Sequence, residues 1–173
     1  MISLNQYNKN EKAYYFASQA TASLVYLEGG FILRIGLNSK TVDKPHNHDF
    51  CECGGVPGEL SEIAVKLIGA LAVSKIEKKG FSLSKHEDFL IAQQIAKNLD
   101  KEMRILSPGV EKIMQSAEER AKQMLEEIWI AIEKLAQAIL QFDKIDQEET
   151  TNIVKNALKG KTIEKSALSW NTD

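Results

Sequence analysis

Cysteine, proline and glycine are all scarce in this chain. Its 173 residues include two cysteines, three prolines and ten glycines. Cys51 and Cys53 are too few and too close together to staple a fold, which excludes the disulfide-rich secreted scaffolds. So few prolines and glycines argue against a loop-rich or all-β architecture. A long apolar run is missing too. Nothing approaches the ~18 uninterrupted apolar residues of a membrane span, and the best stretch, Ala22 to Leu27, is stopped by Glu28. An excess of one charge is also absent. Lys and Arg number 22 and Asp and Glu 24, a formal net charge of −2. That removes the electrostatic argument for a nucleic-acid partner, which needs a basic face. The first residues show no basic start followed by an apolar run, so no signal peptide is expected. A cytoplasmic protein with free or metal-bound thiols is the natural reading.

What is present is helical periodicity. Hydrophobic residues make up 43% and charged residues 27%, the balance of a globular chain. Ala13, Phe16, Ala17, Ala20, Leu24 and Leu27 recur at spacings of three and four, which predicts a helix over residues 10–28 ended by Gly29 and Gly30. The run from Phe31 to Leu37 is the one convincing strand. Residues 38–58 read as an irregular loop. A second helix is expected over residues 59–79, on a stripe running from Leu60 to Ala72. A third begins near Lys85, with Ser84 and Glu87 spaced as a capping box. The longest helix opens at Pro108 and runs to about Phe142. Its apolar residues keep a 3.5-residue period over four heptads, which favours long helix–helix packing, within the domain or with a second copy. A last helix fits residues 145–158. The fold class is therefore mainly α with a small β element at residues 31–37, extended by residues 46–53 if the His/Cys segment forms a hairpin. One helical domain is expected over residues 10–160, between an N-terminal tail (1–9) and a C-terminal tail (161–173).

The order of these elements, with several local matches, resembles the zinc peptidase domain of the FtsH-type membrane proteases. In that family the first helix carries a segment like Ala-Tyr-His-Glu-Ala-Gly-His-Ala. Here Ala13, Tyr14, Ala17 and Ala20 match its flanking positions. The family's Leu-x-Gly-x-x-Ala helix resembles the run from Leu67 to Ala72. Its third zinc ligand, an Asp that opens a helix with Ala four residues on, resembles Asp88 and Ala92. The long helix with Ala117, Ala121, Leu125 and Leu135 resembles the closing helix, so that the likeness covers roughly residues 10–141. It implies a helical metallopeptidase-like fold, and it implies that the chemistry is gone. H-E-x-x-H works because two imidazoles at i and i+4 hold one zinc while the Glu deprotonates its water. Tyr15 and Gln19 stand at the two ligand positions and Phe16 at the base. A phenol near its usual pKa of ~10 and a neutral amide are poor zinc ligands. Asp88 alone does not restore the site. Read without the family, Asp88 is a charge on the positive end of a helix dipole.

The other candidate is a cluster of His46, His48, Cys51 and Cys53. If Asp49 and Phe50 made a two-residue turn, His48 would face Cys51 and His46 would face Cys53. All four would then project from one face, close enough for one tetrahedral zinc. The alternatives are an exposed polar loop whose cysteines do nothing in particular and, least favoured because it needs strained geometry, a Cys51–Cys53 disulfide. His86 reads as an exposed surface histidine, Trp129 as a core-edge residue, and the charged run from Glu118 to Glu127 as a solvated helix face.

Three functions follow as expectations. The first is a non-catalytic peptidase-like protein with a binding, regulatory or oligomerisation role, with a protein partner or a second copy bound through residues 108–142. The second is a zinc-dependent hydrolase using the His/Cys cluster. The third is a helical oligomerisation module unrelated to peptidases.

Overall fold

The computed structural model describes residues 2–37, 50–56, 59–77, 82–103, 108–142 and 144–161. The protein is mainly helical, with a small antiparallel sheet. The element order is α1 (Lys9–Tyr26), β1 (Glu28–Gly36), β2 (Phe50–Val56), α2 (Glu59–Glu77), α3 (Glu87–Met103), α4 (Val110–Phe142), β3 (Lys144–Asp146) and α5 (Gln147–Ala157). No helix among the described residues is long and apolar enough to cross a membrane.

α1 starts where a reciprocal cap can form. The Asn8 side chain accepts the Glu11 N–H at 3.0 Å, and the Glu11 carboxylate accepts the Asn8 N–H at 2.7 Å. Such a cap stabilises a helix by ~1 kcal/mol. The helix ends at Tyr26 rather than 28, because β1 begins at once. Gly30 makes that reversal possible. A Cβ there would lie 2.1 Å from the Ser23 carbonyl oxygen, so only glycine lets the strand fold back against the last turn of α1.

The sheet order is β2-β1-β3. β1 pairs with β2 through Ile35 opposite Cys51 and Ile32 opposite Cys53, with an irregularity between Ile32 and Arg34. On its other edge Ile35 lies opposite Ile145 of β3. Two expectations change here. Residues 50–56, read as loop or, up to residue 53, as one arm of a hairpin, form a full strand, since pairing with β1 overrides a Cys- and Gly-rich composition that carries little strand signal. Residues 144–146, the last two of them expected to open the final helix, form the edge strand β3. Asp146 then caps α5 by accepting the Glu149 N–H at 2.9 Å.

α4 is the spine of the fold. Its buried side chains run from Ile113 to Ile139, and α1, α2, α3 and α5 all pack on it. The heptad seam is thus occupied inside the chain. It is wider than two positions per heptad, because Ile113, Leu125, Ile132 and Ile139 are buried beside it. Arg120, expected on a solvated face, is buried as well. Its guanidinium sits 5.3 Å from the Tyr26 ring centroid and 3.6 Å from Glu127. Tyr26 donates to Glu127 at 2.5 Å. Trp129 does lie at the core edge, stacked on Tyr14 at 5.7 Å with the Lys75 ammonium 4.5 Å from its ring.

Candidate functional site

Tyr15 and Gln19 lie four residues apart on α1 and therefore share one face. Both turn toward the start of α3. The Tyr15 hydroxyl donates to Asp88 Oδ2 at 2.8 Å, and Gln19 Nε2 donates to the Tyr15 oxygen at 3.1 Å. Tyr15 and Asp88 are buried. Burial, then the charge of Asp88, pushes the Tyr15 phenol far above its ordinary range, so it keeps its proton and acts as a donor. A hydrogen bond from a buried phenol to a carboxylate is worth about 1.5–3 kcal/mol. Phe16 is buried with its ring edge toward Tyr15, centroids 5.7 Å apart.

α2 forms the other wall of the cluster. A Cβ on Gly69 would sit 2.6 Å from Tyr15 Cε2. The small residue therefore makes room for the ring. The Leu-x-Gly stretch of α2 and the Tyr-x-x-x-Gln stretch of α1 form one packing unit.

The entry to α3 is built differently from the sequence expectation. Ser84 and Glu87 form no capping box. Ser84 shares a hydrogen bond with Ser82, 2.9 Å between hydroxyls, and Glu87 accepts the Leu4 N–H at 3.1 Å. His86 takes the capping role, its Nδ1 accepting the Asp88 N–H at 3.1 Å. The same Nδ1 lies 3.2 Å from Asp88 Oδ2. A neutral Nδ1 serves the cap and a protonated one serves the carboxylate, so one nitrogen cannot do both at once.

His86 is fully buried rather than exposed. The cause is the segment before α1, which is hydrogen-bonded to the start of α3. Ile2 N–H donates to the Lys85 carbonyl at 2.7 Å, and Glu87 N–H donates to the Ile2 carbonyl at 3.1 Å. Tyr7 closes the cover by stacking on His86 at 5.6 Å and meeting Tyr15 at 5.9 Å. The Tyr7 hydroxyl is buried with no partner among the described residues. Burial, then Asp88, raises its pKa far beyond the usual tyrosine range. Tyr7 also lines a surface cleft of about 360 Å3 with Gln6, Glu11 and Glu77.

The cysteines sit on the other side of Phe16. Cys51 and Cys53 project from one face of β2, half-buried, with sulfurs 3.6 Å apart. The Cys51 thiol points to the Phe16 carbonyl at 3.8 Å as well, and Ser23 Oγ donates to Cys53 Sγ at 3.5 Å. The Cys51 thiol lowers the Cys53 pKa to about 7, with Ser23 and Lys66 helping and burial opposing. Phe50, expected in a two-residue turn, is a strand residue opposite Gly36. His46 and His48 lie outside the described residues. Among the described residues no group of three His, Cys, Asp or Glu side chains comes together as a metal-holding set.

Tyr15, Gln19 and Asp88 thus come together, as do Cys51 and Cys53. Tyr7, His86 and Ser23 belong to these clusters and were not singled out by sequence as members. Tyr7 lies outside any periodic segment. Ser23 faces the cysteines only because Gly30 folds the strand back. No protein-family model and no curated protein sequence matches the chain.

In the family that the sequence resembles, zinc sits at the positions of Tyr15, Gln19 and Asp88, and the donor chemistry of these three residues does not fit it. The phenol holds its proton and spends it on Asp88, the amide of Gln19 directs its N–H at Tyr15, and Phe16 has no donor atom. Zinc needs imidazole, thiolate or carboxylate lone pairs turned toward a common centre.

Proposed function

We propose that this is a non-catalytic protein built like an FtsH-type peptidase domain, in which a hydrogen-bonded cluster replaces the zinc centre. Its role is binding or regulation. The single observation that supports the reading most is the contact of Tyr15 with both Gln19 and Asp88. Tyr15 and Gln19, four residues apart on α1, touch each other, and Tyr15 touches Asp88, 73 residues further along; these are the positions that the resemblance assigns to the three ligands. They satisfy one another instead of facing a cation. Phe16 cannot accept a proton, so the base of the motif is missing, and the Asp88 carboxylate is engaged by Tyr15.

The role needs a partner. The cleft beside Tyr7, lined by Glu11 and Glu77, is the concave surface that touches the cluster, and a protein segment with basic or amide donors suits it. In an oligomerising version of this role the element is α4. The face away from the seam is the one it offers, where Ile130 is exposed. We place the protein in the cytoplasm, a setting in which thiols such as those of Cys51 and Cys53 stay reduced.

Restoring the motif tests the reading. A chain carrying Tyr15→His, Phe16→Glu and Gln19→His together should bind one zinc with Asp88 as third ligand, and lose it on Asp88→Ala. A folded triple variant that gains no zinc would show that these positions do not surround a common centre.

A further inference from the structure

We propose that Cys53 and Cys51 form a thiol–disulfide exchange couple toward small-molecule disulfides, with Cys53 as the attacking sulfur and Cys51 as the resolving one. The inference rests on the cysteine pair and not on the peptidase-like reading. Residues i and i+2 of one strand share a face, and here this puts the two sulfurs 3.6 Å apart on β2. The pair is asymmetric. Cys53 Sγ accepts from Ser23 Oγ at 3.5 Å, and the Cys51 thiol, whose one proton also faces the Phe16 carbonyl at 3.8 Å, lies 3.6 Å away. A donor on the Cys53 sulfur favours its anion. That gives a nucleophile and a thiol in waiting on one edge strand. Both are half-buried against the core, which favours a small disulfide over a bulky one.

The step balances with one disulfide molecule as oxidant. The Cys53 thiolate attacks one sulfur of R–S–S–R, forming a mixed disulfide and releasing RS⁻. That thiolate takes the Cys51 proton and leaves as RSH. The Cys51 sulfur then attacks the Cys53 sulfur and expels the second RS⁻. The chain has lost two electrons, and the small disulfide has gained them. Closing from 3.6 Å to a bond of ~2.05 Å needs side-chain rotation on a fixed strand, and a bond formed under such strain is readily reduced. A reversible couple follows rather than a permanent staple.

The chain contains only two cysteines, so a thiol count reads the reaction without ambiguity. The purified full chain is first assayed for zinc. It is then equilibrated in buffers of varied reduced and oxidised glutathione, alkylated and weighed. The expected result is loss of both free thiols together, no retained glutathione, and full recovery in excess reduced glutathione. Cys51→Ser should trap a glutathione adduct on Cys53. Cys53→Ser should slow adduct formation about 3-fold at pH 7, the net of a larger thiolate fraction and a weaker nucleophile. The wild-type titration stands even if a variant does not fold. Adducts on both cysteines of the wild type, or thiols that persist at every ratio, would overturn the proposal. So would stoichiometric zinc in the purified chain, since 3.6 Å also approximates the ~3.8 Å edge of a tetrahedral zinc–thiolate site.

Discussion

Tyr15 combines three separate constraints in one side chain. Its hydroxyl donates to Asp88 and accepts from Gln19, and its ring edge lies against the backbone of Gly69. Removing the hydroxyl leaves a buried carboxylate short of a donor. Tyr15→Phe should therefore lower stability by about 1.5–3 kcal/mol in urea unfolding. In a double-mutant cycle with Asp88→Asn the two losses should not add, since both remove the same contact. The buried phenols also set a pH limit. Tyr7, Tyr15 and Tyr26 all have pKa values raised on folding, chiefly by burial. A group that binds its proton more tightly in the folded state contributes fully below its unfolded pKa of ~10, and the contribution is lost as pH rises beyond it. The urea midpoint should therefore fall steeply above about pH 10, and less steeply in Tyr15→Phe. An alkaline titration that leaves the midpoint flat would show the phenols to be exposed.

Secondary-structure elements divide by how local their causes are. α1, α2 and α4 were legible because their stripes repeat over four or more turns, and a long repeat outweighs single exceptions. β2 was hidden, because Cys51, Cys53, Gly54 and Gly55 carry no strand preference of their own and pair only once β1 is present. The cap of α3 was misread for a related reason. Ser84 and Glu87 have the right spacing, but Glu87 is claimed by Leu4, more than eighty positions upstream. Sequence shows who is near whom along a helix and not which distant segment competes for a carboxylate. The candidate site was half legible on the same terms. Tyr15, Gln19 and Asp88 stood out through a motif, whereas Tyr7 and His86 join them only by stacking. Two substitutions test element packing. Gly69→Ala gains ~1 kcal/mol of helix propensity but overpacks the Tyr15 ring at a cost of about 1–3 kcal/mol, so a net loss is expected. Gly30→Ala meets backbone at Ser23 and should be the more damaging of the two. A melting temperature unchanged in both would mean that α1 is not held as described.

At the scale of the whole molecule, α4 joins the parts. Its apolar seam is covered from Ile113 to Ile139 by α1, α2, α3 and α5, while Phe142 and Ile130 stay exposed. A chain cut before residue 108 should not fold, and loss of its helical circular dichroism checks this. A stable helical fragment would mean that the seam serves a second copy instead. The most direct measurement concerns the replaced centre. Full-length protein is incubated with an unfolded polypeptide and excess zinc, with and without a strong chelator. With Tyr15, Phe16 and Gln19 in place of two ligands and a base, we expect cleavage at the rate of a blank in both tubes. Cleavage that the chelator abolishes would contradict the account at its centre.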